Sequence, residues 1–231
     1  INCELTFRKN DITEKVFNLE TADINARESK YIDFVLPGIL GYSLMSAAIF
    51  GVGYSFLDMR KQKVLKRFFS APTNRTSFLT GLSLSRFIFI FAQNIILLLA
   101  ANLMFDFNPR GGYVGLLQIL VVIALGLIVF LGFGYLIAGL AKTDDTVAPA
   151  ANLIVFPQFI LAGTFFEIST LPSWLEVIAK FMPLYNFNQA IRFISIDGLN
   201  ISSPEVLLQL AFLIIWGIII YFISSRVFKI E

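Results

Sequence analysis

Few of the 231 residues are equipped for covalent or metal chemistry. The chain has no histidine and a single cysteine, Cys3. That removes a Ser-His-Asp triad, a Cys/His metal site and an internal disulfide. No Gly-Lys dipeptide occurs, so the phosphate-cradling loop of nucleotide hydrolases is missing as well. What remains is non-covalent. Amides stand inside otherwise apolar stretches at Gln93, Asn94, Asn102, Gln118, Asn152 and Gln158, and one carboxylate, Glu167, closes such a stretch. Amides in such places either line a polar path or hydrogen-bond between helices, the latter contributing about 0.6–2 kcal/mol each. Both readings are open here, and the same holds for Glu167, which faces either the path or interfacial water. No chain of intramembrane acids suited to relaying protons is present. The remaining charge feature is a cluster: between residues 58 and 77, Arg60, Lys61, Lys63, Lys66, Arg67 and Arg75 oppose only Asp58.

The elements that position these groups follow from hydropathy. Hydrophobic residues make up 57% of the chain, and the mean hydropathy is +0.76. That leaves too little polar surface to cover a soluble core. Apolar runs occupy residues 34–57, 78–105, 113–141, 147–166 and 206–227. At 1.5 Å per residue, runs of about 20 cross a hydrocarbon core of about 30 Å. The pattern predicts an all-α integral membrane fold with five visible transmembrane helices. In the first run Pro37 falls in the opening turn, and Gly38, Gly41, Gly51 and Gly53 offer small surfaces for close helix contact. In the fourth, Asp145 or Thr146 is expected to cap the helix, Pro149 to sit in its first turn and Pro157 to kink it. Within 58–77, Leu65, Phe68 and Phe69 fall on one helical side with Lys63, Lys66 and Arg67 flanking, which predicts an amphipathic surface helix. Residues 167–204 are broken by Pro172, Pro183, Asp197-Gly198 and Pro204. Two short helices that dip into the membrane face or lie on it are expected there.

Positive residues favour the cytoplasmic side, so the 58–77 hairpin is assigned inside. Alternation then places 106–112 and 167–204 outside, and the C-terminus, with Arg226 and Lys229, in the cytoplasm. Residues 1–33 fall outside as an extracytoplasmic segment preceding a transmembrane domain over 34–231. An outside start without an export signal predicts an upstream span, giving six in the full chain. The expected location is multi-pass in the inner (plasma) membrane. The net charge of +2 is too small to point to nucleic acid.

Two segments carry a family resemblance. One is the basic hairpin FLDMRKQKVLKRFFSAPTNRTSFLTG. The other runs from 152 to 193 and contains Pro157, Gly163, Leu171-Pro172-Ser173-Trp174, Pro183, Tyr185 and Ala190-Ile191-Arg192. Together, over roughly residues 34–228, the chain resembles the ABC type-2 permeases, the membrane subunits of ATP-binding-cassette exporters. It departs from that pattern at Glu167, where the family often has proline. The resemblance implies six spans per subunit, a dimer of permeases (homo- or heterodimer) in the lipid bilayer, and cytoplasmic ATPase subunits that bind ATP and Mg. It implies ATPase coupling through Val64, Leu65, Lys66, Arg67, Phe68 and Phe69, with no catalytic or cofactor site in this chain. It also implies short outer re-entrant helices closing the pathway, carried by Pro172, Trp174, Pro183, Tyr185 and Arg192. Gln93, Asn94, Asn152, Gln158 and Glu167 are the candidate pathway polar groups. The residues alone also admit an ion-coupled carrier or a non-transporting scaffold or immunity protein.

Overall fold

In a computed structural model of the protein, the described residues are 31–62, 75–105, 107–141, 143–164, 168 and 172–227. The expected coupling residues Val64–Phe69 and Glu167 lie outside them. The chain forms α1 (Tyr31–Lys61), α2 (Arg75–Phe105), α3 (Gly112–Leu140), α4 (Asp144–Leu161), α5 (Ser173–Phe181), α6 (Pro183–Ser195) and α7 (Pro204–Val227). No strand occurs among the described residues. Four helices are long and apolar enough to cross a membrane: α1 from Asp33, α2 from Thr80, α3 and α7.

Helix ends follow local chemistry. α1 continues past its apolar run because Asp58–Lys61 contain no breaker, and Arg60 and Lys61 in its last turn complement the negative end of the helix dipole. α4 differs from expectation. Its N-cap is Thr143, not Asp145 or Thr146, and Thr143 and Thr146 form a reciprocal capping box. The two threonines satisfy each other's exposed backbone ends, and Asp144 and Asp145 in the first turn suit the positive helix end. Pro149 is therefore the sixth helical residue, beyond the first turn. The helix runs on through Pro157 and stops after 18 residues at Leu161, because Gly163 takes a positive φ of 63° that continues no right-handed helix. The fourth apolar run is thus shorter in structure than in sequence, and α4 is not among the four helices that qualify as spans by length and composition.

α3 is the centre of the bundle. It packs most extensively on α1, then on α7, and also touches α2, α4 and α6. Small residues set these separations. A Cβ on Gly134 would stand 2.7 Å from the Ala48 carbonyl oxygen and 2.8 Å from Val52 Cβ, so α1 and α3 meet backbone to backbone. Gly132 gives the same room to Ile220 and Tyr221 of α7, and Gly53 to Val147 of α4. Gly38 and Gly41 also abut neighbouring segments as expected, whereas a Cβ on Gly51 would meet only Arg86 Nη1, at 3.9 Å. The outward faces of α2 and α7 carry exposed Leu84, Ile88, Phe89, Leu103, Ile218 and Phe222, as befits helices solvated by lipid rather than water.

Candidate functional site

At the end of the bundle opposite the 62–75 hairpin, α6 carries a polar clamp. Arg192 is buried, with 7% exposure. Its Nη2 donates to the Phe34 carbonyl at 3.1 Å and to the Gly163 carbonyl at 2.5 Å, and its Nε donates to Phe34 O at 3.3 Å. The guanidinium also lies over the Phe34 ring, 3.8 Å from its centroid. Next to it Asn188 Nδ2 donates to Ala162 O at 3.3 Å. The carbonyls at the end of α4, which lack helical partners, are therefore held by α6. The same arginine ties them to the start of α1. A side chain on Gly38 would clash with Thr164, so glycine there lets the 162–164 turn lie against α1.

The pair α5–α6 is set by its prolines. Pro172 is the N-cap of α5, and Met182, in extended conformation at φ −70°, ψ 135°, separates α5 from α6, where Pro183 is the first residue. Pro183 disfavours helical geometry at Met182 and is itself well suited to a first turn. Asn186 Nδ2 then bonds Lys180 O at 3.0 Å and Met182 O at 2.7 Å, bracing the corner. Trp216 Nε1 of α7 donates to Phe181 O at 2.6 Å. Phe187 enters between Gly41 of α1 and Gly126 of α3, where added Cβ atoms would stand 2.9 Å and 2.5 Å from its ring, and Phe130 meets it edge-on at 6.2 Å. Trp216 lies twelve residues into α7 and Gly126 fourteen into α3, or about 18 and 21 Å along those helices. The corner between α5 and α6 is thus seated well below the far end of the bundle. Tyr185 is buried and accepts a bond from Gln189 at 3.1 Å. Trp174 stands apart, 66% exposed in the first turn of α5. Sequence reasoning missed Asn186, Phe187, Asn188 and Trp216. The signal available was the Asn-Phe-Asn run itself, two amides flanking an aromatic directly after a helix-starting proline.

The intramembrane amides divide. Asn94 is fully buried, donates to Ile90 O at 2.9 Å and accepts from Ser43 at 3.5 Å. Asn102 bonds Phe107 O at 2.6 Å, and Gln118 reaches Asn200 at 3.4 Å. Gln93 is exposed and Asn152 half-buried. Gln158 is buried with its Oε1 unpartnered, and the same is true of Asn188 Oδ1, Thr164 Oγ1 and Ser195 Oγ. α2 and α4 flank α1 without packing extensively on each other, so Gln93 and Asn94 do not join Asn152 and Gln158 in one cluster within this chain.

At the hairpin end, Lys61 of α1 pairs with Asp144 of α4. Arg86 of α2 donates to Ser55 of α1, and Ser83 shares a 2.5 Å hydrogen bond with Tyr135 of α3. Among the described residues no group of His, Cys, Asp and Glu could hold a metal ion.

The profile of the ABC-2 type transporter family matches residues 9–195, a stretch that takes in the basic hairpin, the α5–α6 pair and the arginine clamp. The chain belongs to the ABC-2 type transporter family. The matched domain is the transmembrane domain of that family rather than an ATPase. It is 26% identical over 199 residues to ABC transporter G family member 20 of Dictyostelium discoideum, covering 85% of this chain and 26% of that protein. It is 27% identical to the linearmycin resistance permease protein LnrN of Bacillus subtilis, over 62% of this chain and 37% of the relative. With the inner membrane transport permease YadH of Escherichia coli K12 it shares 22% identity over 84% of this chain and 73% of the relative. The ABC-2 type chain therefore spans well under half the length of the first two of these relatives.

Proposed function

We propose that this protein is the membrane-spanning subunit of an ATP-driven exporter, working as a dimer of permeases in the inner (plasma) membrane with separate ATPase subunits that bind ATP and Mg. The seating of α5–α6 carries the reading. A short helical pair turns back on itself between α1, α3 and α7, with its corner held by Trp216 and its return arm clamped by Arg192. Such a pair acts as a re-entrant plug at the outer mouth, and Pro172, Trp174, Pro183, Tyr185 and Arg192 belong to it. α4 completes the set as a fifth, shorter span. The hairpin between α1 and α2 lies in the cytoplasm, and its Val64–Phe69 stretch meets the ATPase, Phe68 and Phe69 in an apolar cleft and Lys66 and Arg67 against acidic groups. Residues 1–33 and the α5–α6 pair are extracytoplasmic, and the C-terminus is cytoplasmic. Gln93, Asn152 and Glu167 line the route where two subunits face each other, whereas Asn94 and Gln158 are buried within the chain. The basic bias of the hairpin supports its cytoplasmic placement, and the similarity to the inner membrane transport permease of Escherichia coli supports the inner membrane.

The test is co-purification and labelling. A tagged permease is expected to bring down an ATPase with a phosphate-cradling loop, and Phe68→Asp is expected to abolish that association while leaving the permease in the membrane. Single cysteines at 62 and 197, in a Cys3→Ser background, are expected to label from opposite sides. Labelling of both from the same side, or unchanged association of the Phe68→Asp variant, would refute the assignment.

A further inference from the structure

Arg86 is placed where a charge is costly. It lies six residues inside the apolar part of α2, which begins at Thr80, or about 9 Å along the helix. Ser55 lies six residues before the end of α1, and Tyr135 five before the end of α3, so three helices bring polar groups to one depth near the hairpin end. Among the described residues, the Ser55 hydroxyl is the hydrogen-bond partner of the guanidinium, and neither ion pair of the described residues includes Arg86. A guanidinium carries five N–H donors, and Ser55 takes up one bond from it among the described residues. An ionisable group at such a depth marks a binding function more often than a structural one.

Gly51 supplies the second observation. It lies one helical turn from Ser55, and of the α1 glycines it has the loosest surroundings. A Cβ there would meet only Arg86 Nη1, at 3.9 Å. The absent side chain leaves a hollow beside the guanidinium, one turn from Ser55. Arg86 is itself half-buried, so the hollow opens outward, and Phe89, one turn further into the membrane, is 67% exposed. A cation whose long side chain can reach back toward the headgroups, continued by an apolar surface, fits an anion attached to acyl chains.

We infer that Arg86, Ser55 and the Gly51 hollow bind the phosphate of an anionic phospholipid from the leaflet on the hairpin side. The planar fork of arginine matches the paired oxygens of a phosphate, and Ser55 adds a hydroxyl donor. The acyl chains then run along the exposed face of α2. The lipid is a further contact between α1 and α2, and it does not depend on which compartment that end faces.

The full permease, purified in detergent and exchanged free of native lipid, tests this by native mass spectrometry and thermal unfolding with added dioleoylphosphatidylglycerol, dioleoylglycerol or inorganic phosphate. Phosphatidylglycerol is expected to remain bound and to raise the melting temperature, and dioleoylglycerol to do neither. Arg86→Gln and Gly51→Leu are each expected to weaken phosphatidylglycerol binding by about tenfold or more. Arg86→Lys is expected to lose less. Gly51→Leu keeps the arginine and fills only the hollow, so it decides the matter even if Arg86→Gln folds poorly. Binding undiminished in both variants overturns the site. Displacement of the lipid by millimolar inorganic phosphate overturns the lipid assignment in favour of a soluble anion.

Discussion

Replacing Gly134 with alanine isolates the contact on which the bundle is built. The new methyl carbon would stand 2.7 Å from the Ala48 carbonyl oxygen and 2.8 Å from Val52 Cβ, where ordinary contacts are about 3.5–4 Å. The obstacle is backbone on a packed helix, not the free end of a side chain, so α1 and α3 must separate by roughly 1 Å. Overpacking of this kind costs about 1–3 kcal/mol, against a helix-propensity gain of about 1 kcal/mol for Gly→Ala. A net loss of up to about 2 kcal/mol is expected. The matched control is Gly81→Ala on α2, where the added methyl meets nothing within 4 Å and only the propensity gain applies. Thermal unfolding of the purified permease, followed by the fluorescence of Trp174 and Trp216, compares the two directly. Gly134→Ala should melt lower than the wild type, and Gly81→Ala at the same temperature or higher. Equal melting temperatures for the two variants would refute the claim that α1 and α3 are held at glycine distance.

Arg192→Gln removes charge-assisted bonds to Phe34 O and Gly163 O together with the ring contact, and should cost about 2–4 kcal/mol in unfolding. Arg192→Lys should recover only part of this, because a point charge cannot serve both carbonyls through a planar fork. Trp216→Phe keeps the ring packing on Phe133 but loses the bond to Phe181 O, a loss of about 1 kcal/mol. It should raise hydrogen exchange at the α5–α6 corner without affecting α1 or α2. Thr143→Ala breaks the capping box of α4 at a cost of about 1 kcal/mol, readable as faster exchange confined to the first turn of that helix.

Much of this architecture can be read from hydropathy. The runs at 78–105 and 113–141 became α2 and α3 within a few residues, because nothing but helix satisfies a backbone in lipid and turn residues bound both. α4 was misjudged at both ends for identifiable reasons. Thr143 and Thr146 cap each other at a spacing easily read as plain loop, and Gly163 stops the helix while the apolar run continues to Phe166. Pro172 and Pro183 were visible because prolines stand out in apolar surroundings, and Arg192 through the family resemblance. Their partners were not. Phe34 O, Gly163 O and Ala162 O are backbone atoms, which no residue type announces, and Phe187 looks like any aromatic until Gly41 and Gly126 converge on it. The amides were ambiguous because a hydrogen bond such as that of Asn94 to Ile90 O leaves no trace in composition.

α1 is a single unbroken helix of 31 residues, about 46 Å long. Phe34, near one tip, is gripped by Arg192, and Lys61, at the other, is joined to Asp144 beside the basic hairpin. A stiff strut of that kind cannot be displaced along its axis at one tip and stay at rest at the other. An axial tug delivered to the hairpin end therefore reaches the arginine grip as a slide of the same rod, with no chain of side-chain rearrangements needed between them.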